Sequence, residues 1–350
     1  MSLGTREVKP SDLKLDGAPD HNLSQQDIER HVTALRRTVE EVERVVLGQA
    51  NAVRHIVIAL ASGGHVLLEG LPGLGKTLLV RTIAQATGLD FSRVQFTPDL
   101  MPADITGSLV LQPDEAGRPH LAFQRGPVFS QIMLADEINR ATPRTQSALL
   151  EAMQEHTISA GGTTHSLPAP FFVLATQNPI EMDGTYVLPE AQIDRFLLRV
   201  DLPYPDAEVL SEILAETTGA QTRLAQPVLT AEAIITIQGL VRSVVLADHV
   251  RAAVARFALM TQPSSKLAPS SVARFVRFGL SPRGAQSLVL AAKGHALLAG
   301  RYNVSFDDLR AMLLPTVRHR VHLNFEGRAE NVRLEELLEE VLEASIGKAR

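Results

Sequence analysis

Eight consecutive residues, Gly70-Leu71-Pro72-Gly73-Leu74-Gly75-Lys76-Thr77, satisfy G-x-x-x-x-G-K-[ST] at every fixed position. The chemistry explains each residue type. Glycines let backbone N–H groups converge on phosphate oxygens, where a Cβ would intrude. A helix starting near Gly75 adds the positive end of its dipole. Lys76 has the length to reach the β- and γ-phosphates, the Thr77 hydroxyl is suited to Mg2+, and Leu78 continues the same nucleotide-contacting stretch. The bland alternative is a Gly/Pro-rich turn. The phosphate reading needs a strand before the motif and a helix after it, and "HVLLEG" and "TLLVRTIA" supply those patterns.

An acidic pair comes next. In "IMLADEINR" four apolar residues precede Asp136 and Glu137, which puts both carboxylates at the carboxyl end of a buried strand, the edge where open α/β sheets hold ligands. Asp136 is suited to holding Mg2+ through water, and Glu137 to polarising an attacking water. A phosphoryl-transferring kinase has no need of that second carboxylate, whereas a hydrolase does. Alone, the pair also reads as a strand ending in a solvated acidic turn.

A second apolar run, "FFVLATQNP", ends in polar residues, and Pro179 cannot continue a central strand. Asn178 therefore falls at a strand tip, where its amide is able to orient a water or simply to form a turn before proline. Within "LPEAQIDRFLLRV" a short helix runs from Pro189-Glu190 to Asp194-Arg195-Phe196. Arg195 and Arg199 are both candidates to project from the surface and stabilise phosphoryl charge, including that of a neighbouring subunit. A helix-terminal arginine that serves the dipole is the alternative. Arg283, in "SPRGAQSL", lies in the first turn of a later helix, a poor place for a cation without an anionic ligand or ion pair nearby.

The elements that must position these groups are legible as patterns. Residues 1–27 show no periodicity and read as a flexible tail. From Ile28, apolar residues at spacings of three and four define an amphipathic helix that stops at Leu47-Gly48-Gln49, and a second helix runs from about Asn51 to Ala61. Strand and helix signals then alternate to Leu202, the pattern of an α/β layered domain with a mostly parallel sheet. Two stretches interrupt it as hairpins, 108–124 and 156–167. After "LPYPD" the patterns are helical. The expected organisation is a nucleotide-binding core over 28–205 and an all-helical lid over 206–350, with Ser281 as an N-cap before Pro282 and Ser305 paired with Asp308 in a capping box.

Bulk properties narrow the function. The 350 residues carry 34 basic and 39 acidic side chains, net −5, which is not the footprint of bulk attraction to nucleic acid. Aromatics at 4 % with no tryptophan leave little for stacking on single strands. No cysteine is present, so disulfides, thiolate zinc sites and cysteine catalysis are excluded. No apolar run reaches the length of a membrane span, the N-terminus lacks an apolar signal region, and a cytoplasmic protein is the expectation.

The motifs "GLPGLGKT", "LADEINR", "ATQNP", "LPEAQIDRFLL" and "SPRGAQSL", in that order, together with "GRYNVSFDDLRAMLLPTVRHRVHLNF", resemble the AAA+ ATPases and specifically the MoxR family. The resemblance implies a P-loop NTPase αβα core with a helical lid, ATP and Mg2+ as ligands, and ATP hydrolysis. It assigns Gly70–Thr77 to Walker A, Ile132–Glu137 to Walker B, Asn178 to sensor 1, Arg195 to the arginine finger and Arg283 to sensor 2. Gly48-Gln49 resembles the segment bordering the adenine, and the hairpins look like the helix-2 insert and the pre-sensor-1 hairpin that face a central pore. It further implies a ring, often a hexamer, that remodels or matures a client alongside a protein bearing a von Willebrand factor A domain. The longer Pro/Ser-rich approach to Arg283 over 261–280 leaves its partner nucleotide, in the same subunit or the next, open. A magnesium-chelatase-like motor subunit and a DNA-dependent motor share much of this core, while a small-molecule kinase leaves Glu137, Asn178 and Arg195 without joint purpose.

Overall fold

The computed structural model describes residues 23–113, 118–178, 186–219 and 223–347. Helices α1 (Gln25–Glu43) and α2 (Ala50–Ala61) lead into strand β1 (Val66–Glu69), helix α3 (Lys76–Thr87) and strand β2 (Phe91–Gln95). A short helix α4 (Pro102–Thr106) precedes the strands β3 (Gly107–Pro113) and β4 (Pro119–Arg125). Then come β5 (Ile132–Asp136), α5 (Pro143–Glu155), β6 (Thr157–Ala160), β7 (Thr163–Ser166), β8 (Phe172–Gln177), α6 (Glu190–Ile193) and β9 (Leu198–Asp201). The remainder is mostly helical: α7 (Ala207–Thr217), α8 (Ala231–Ser243), α9 (Asp248–Met260), α10 (Ser270–Phe275), strand β10 (Val276–Phe278), α11 (Pro282–Leu298), α12 (Phe306–Val317), strand β11 (His322–Leu323), α13 (Phe325–Ala329) and α14 (Leu334–Gly347).

Five strands pair in the order β2-β5-β8-β1-β9, every neighbour parallel. Alternate residues of each strand enter different cores. Val66, Leu68, Leu134, Leu174 and Val200 face the layer built from α1, α2, α3 and the C-terminal helices, whereas Leu67, Met133, Ala135, Val173 and Ala175 face α5. Both faces are covered, which is why the strands read as continuous apolar runs. Each fully buried aliphatic or aromatic side chain contributes about 1.5–3 kcal/mol over exposure. The first core continues without a break into Leu288, Leu309, Val317 and Leu338, so the C-terminal helices are fastened to the α/β part by apolar packing.

Several local expectations need correction. The first helix begins at Gln25, inside the stretch read as tail, because Ser24 and Asp27 form a reciprocal capping box whose polar residues carry no apolar period. It ends at Glu43 rather than at Leu47, although Val46 remains buried beyond it. The C-terminal part is not wholly helical: β10 and β11 form a two-stranded antiparallel ladder, too short to give a strand pattern. Of these, β10, with α10 before it, occupies the long approach to Arg283. Ser281 does cap α11, accepting from the Gly284 N–H, and Ser305 with Asp308 closes a capping box on α12. Strands β3 and β4 pair as one hairpin, and β6 and β7 pair around Gly161-Gly162. Leu109 of β3 packs against Gly161. The first 22 residues and Pro179 lie outside the described residues.

Candidate nucleotide-binding site

The carboxyl edge of the sheet gathers four of the sequence motifs. The turn Gly70–Gly75 follows β1 directly, and Gly75 is the left-handed residue (φ 76°) from which α3 springs with Lys76 as its first residue. Gly73 is also left-handed, at φ 83°. A Cβ on either glycine would meet no atom within 4 Å, so both face an open cradle that a side chain would fill. The turn therefore fits a phosphate chain, with the positive end of a 12-residue helix behind it. The Lys76 ammonium donates to the Gly70 carbonyl at 2.7 Å, which folds the side chain back over the loop. Leu71 and Leu78 are exposed at its lip, and Pro72 lies between them in the turn.

Because β8 lies between β5 and β1, Asn178 at the end of β8 sits between the acidic pair and the phosphate turn. It is 5 % exposed. The acidic pair is held by residues outside the candidate set read from the motifs. Thr176 Oγ1 donates to Asp136 Oδ1 at 2.6 Å and accepts the Glu137 backbone N–H at 2.7 Å. That second bond fixes Glu137 in the left-handed region at φ 57°, an uncommon conformation for a residue with a Cβ. Arg93 of β2 contacts Asp136 Oδ2 at 2.6 Å. Gln95 donates to Glu137 Oε2 at 2.7 Å, and Arg140 reaches the same oxygen at 3.0 Å. Arg93 and Gln95 alternate along β2 and so share a face, and Arg140 lies three residues after Glu137. These spacings were visible in the sequence, but the adjacency of β2 to β5 was not.

Gly48 and Gln49 border the same edge. Gly48 has φ 74°, and a Cβ there would meet Val209 Cγ1 at 2.4 Å. The Gln49 amide donates to the Pro203 carbonyl at 3.1 Å, and Leu202 N–H bonds Glu69 O at 2.8 Å beside the phosphate turn. Gln49 is 6 % exposed, and its Oε1 is buried without a hydrogen-bond partner among the described residues. An acceptor left over at this position suits a donor such as an exocyclic amine.

The three arginines separate. Arg199, on β9, pairs with Glu69 at 2.6 Å and with Asp201 at 3.4 Å, and so is turned into the junction of the sheet with the C-terminal helices. It does not share a surface with Arg195. Burial raises the Glu69 carboxyl above its ordinary value, and the Arg199 guanidinium opposes that rise. Arg195 precedes β9, and Arg283 opens α11. Both line one cavity of about 240 Å3 with Gly63, Gly64, His65 and His156. Neither guanidinium has a hydrogen bond or ion pair among the described residues. Gly64 and His65 precede β1, so this cavity lies at the amino edge of the sheet, opposite the phosphate turn.

Residues 65–198 match the family model of the ATPase family associated with various cellular activities (AAA), and residues 269–341 match that of an AAA lid domain. The chain is 40 % identical to Chaperone MoxR1 of Mycobacterium tuberculosis over 312 residues, 89 % of this chain and 82 % of that protein. It is 40 % identical to the uncharacterized protein YeaC of Bacillus subtilis over 311 residues, 89 % of this chain and 93 % of YeaC. It is 37 % identical to Protein MoxR of Paracoccus denitrificans over 307 residues, covering 82 % and 88 % of the two chains. A solved structure of a Cytophaga hutchinsonii protein described as a candidate ATPase superposes with a TM-score of 0.85 at 35 % identity, covering 91 % of this chain and 96 % of that one. Among the described residues no helix is long and apolar enough to cross a membrane.

Proposed function

The chain belongs to the MoxR family of AAA+ ATPases, and from that premise we propose that it hydrolyses ATP in a ring, a hexamer, whose sites are each completed by the next subunit. The observation that carries the proposal is the division of the site between two edges of one sheet. Gly70–Thr77, Asp136, Glu137 and Asn178 lie at the carboxyl edge, whereas Arg195 and Arg283 lie at the amino edge. Four residues of β1 at about 3.3 Å each put roughly 13 Å of strand between them. An arginine at the far edge serves a phosphate only across a subunit contact. A heterologous, head-to-tail contact of that kind generates a ring when its rotation closes.

In this reading the backbone of Gly70–Gly75 and the Lys76 ammonium hold the phosphates. Thr77 and Asp136 would hold Mg2+, which takes one or two protein oxygens beside phosphate oxygens and water. Bound there, the ion would neutralise charge on the phosphates. Glu137 accepts a proton from the attacking water, and Asn178 orients that water. Arg195 and Arg283 of the neighbouring subunit meet the charge that develops on the transferred phosphoryl group. Gly48 and Gln49 border the base, with Gln49 Oε1 accepting from its amine.

The work done with that energy is remodelling or maturation of a client protein, with a protein bearing a von Willebrand factor A domain as partner. The β3–β4 hairpin, which carries the exposed Leu111 and Leu121, and the β6–β7 hairpin are the proposed contact with the client. The need for ATP makes the cytoplasm the proposed place of work. The test is release of free phosphate from ATP by the purified chain, measured with sedimentation in the presence and absence of nucleotide. Hydrolysis that rises with protein concentration as rings form supports the reading. A phosphorylated small-molecule product, or full activity in a stable monomer, overturns it.

A further inference from the structure

The turn that carries Arg195 is held by a side chain that arrives from the C-terminal helices. Arg320 lies just beyond α12, and its side chain is 2 % exposed. Its Nε donates to Asp194 Oδ1 at 2.7 Å. One terminal nitrogen donates to the Leu197 carbonyl at 3.1 Å and to the Thr316 carbonyl. The other donates to the Phe196 carbonyl at 2.6 Å, the Asp194 carbonyl at 3.2 Å and Ser287 Oγ at 3.2 Å. The guanidinium thus binds the backbone on both sides of Arg195 as well as the carboxylate of the preceding residue. A planar fork of five donors suits that task, and the single ammonium of a lysine does not. His319 adds a contact from its ring to the Phe196 carbonyl at 3.2 Å.

The same grip reaches Arg283. Asp194 accepts at Oδ2 from the hydroxyl of Ser281, the N-cap of α11, at 3.4 Å. Ser287 lies one turn beyond Arg283 on that helix. Gly284, next to Arg283, has no room for a side chain: a Cβ there would meet Leu280 Cδ1 at 2.4 Å and Arg320 Cδ at 2.9 Å. The glycine lets the Arg320 stem pass against α11. One buried side chain therefore ties together the two segments that present the unpartnered arginines of the amino edge.

We propose that Arg320 is a positioning residue for hydrolysis in the adjacent subunit: it fixes the Asp194–Leu197 turn to α11 so that Arg195 and Arg283 are presented as one rigid pair. This rests on the reading of Arg195 as the arginine that completes a neighbour's site. A lid-borne strut of this kind makes the geometry of the pair depend on the seating of the C-terminal helices. Any shift of α11 or α12 against the sheet moves the group that acts on the next nucleotide.

The experiment compares Arg320→Gln, Arg320→Lys, Gly284→Ala and Arg195→Ala in the full chain, by phosphate release and by titration with a fluorescent ADP. Loss of fixed orientation is expected to lower kcat of Arg320→Gln about 10- to 100-fold. Nucleotide affinity stays as in the wild type, and Arg320→Lys recovers only part of the loss. Mixing Arg320→Gln with Glu137→Gln restores hydrolysis, because the second variant supplies an intact arginine pair to the intact site of the first. Gly284→Ala keeps every polar group and displaces Arg320, so it reports the same effect if Arg320→Gln does not fold. A wild-type kcat in Arg320→Gln and Gly284→Ala, or a loss that mixing does not restore, overturns the assignment. Full hydrolysis by Arg195→Ala overturns the parent reading as well. Loss in Arg195→Ala alone overturns only the role of Arg320.

Discussion

Arg195 and Arg283 come from different elements and line one cavity of about 240 Å3, at the edge of the sheet opposite Lys76. The groups that bind and activate ATP in the proposed mechanism face one way, and the cations that would stabilise its cleavage face the other. Substitutions at the two edges should therefore fail differently.

At the carboxyl edge, Lys76→Ala should weaken nucleotide binding about 10- to 100-fold, the worth of one hydrogen bond to a charged group. Glu137→Gln should leave binding intact and lower phosphate release about 10²- to 10⁴-fold, since it removes the proposed base and keeps the shape. Titration with a fluorescent nucleotide alongside a phosphate assay separates the two. Equal loss of binding in both variants would contradict the roles given to them.

Thr176 is the hinge of the acidic pair, joined to both Asp136 and Glu137. Thr176→Val keeps the volume and removes both bonds, leaving the Glu137 N–H without its partner. A buried donor without a partner costs about 1–3 kcal/mol, so the unfolding midpoint should fall. Turnover should fall about 10-fold or more, with nucleotide affinity unchanged, because Glu137 loses the bond that fixes its left-handed backbone. A variant with wild-type kcat would show that this bond does not position Glu137.

Acid should destabilise the fold before most carboxylates titrate. His65 is fully enclosed, bonding Met153 O and the Val173 N–H through its two ring nitrogens. Burial pushes its pKa down to about 4, and that of His55 likewise to about 4. The folded state keeps both rings neutral, while the unfolded chain takes up their protons below about 6.5. Stability is therefore present above pH 6.5 and is lost as pH falls towards 4, by about 1.4 kcal/mol per pH unit for each ring. Glu69, raised by burial, opposes this in part. Thermal melts from pH 7.5 to 5 should show a falling midpoint, with a shallower fall in His65→Gln. A midpoint flat across that range would rule out this linkage.

Much of the site was legible because its residues are local in sequence. The phosphate turn is one contiguous motif, and Asp136-Glu137 follows an apolar run that admits only a buried strand. The caps at Ser281 and Ser305 were equally plain. What the sequence withheld depends on strand order and on distant packing. Arg93 and Gln95 matter only because β2 lies beside β5, and Arg320 only because α12 ends under the Asp194–Leu197 turn. By pattern alone Arg199 is equivalent to Arg195, and only its pairing with Glu69 separates the two. The early start of α1 was hidden because its capping box is polar.

The shared site is tested most directly by mixing two inactive variants, Arg195→Ala and Glu137→Gln, and measuring phosphate release. Each alone should bind ATP and fail to hydrolyse it. In random 1:1 assemblies about a quarter of the heterologous interfaces join an intact Glu137 to an intact Arg195, so hydrolysis should return to about that fraction of the wild-type rate. Full activity of Arg195→Ala alone, or a mixture as inactive as its components under conditions where the subunits assemble and exchange, would contradict a site completed by the neighbouring subunit.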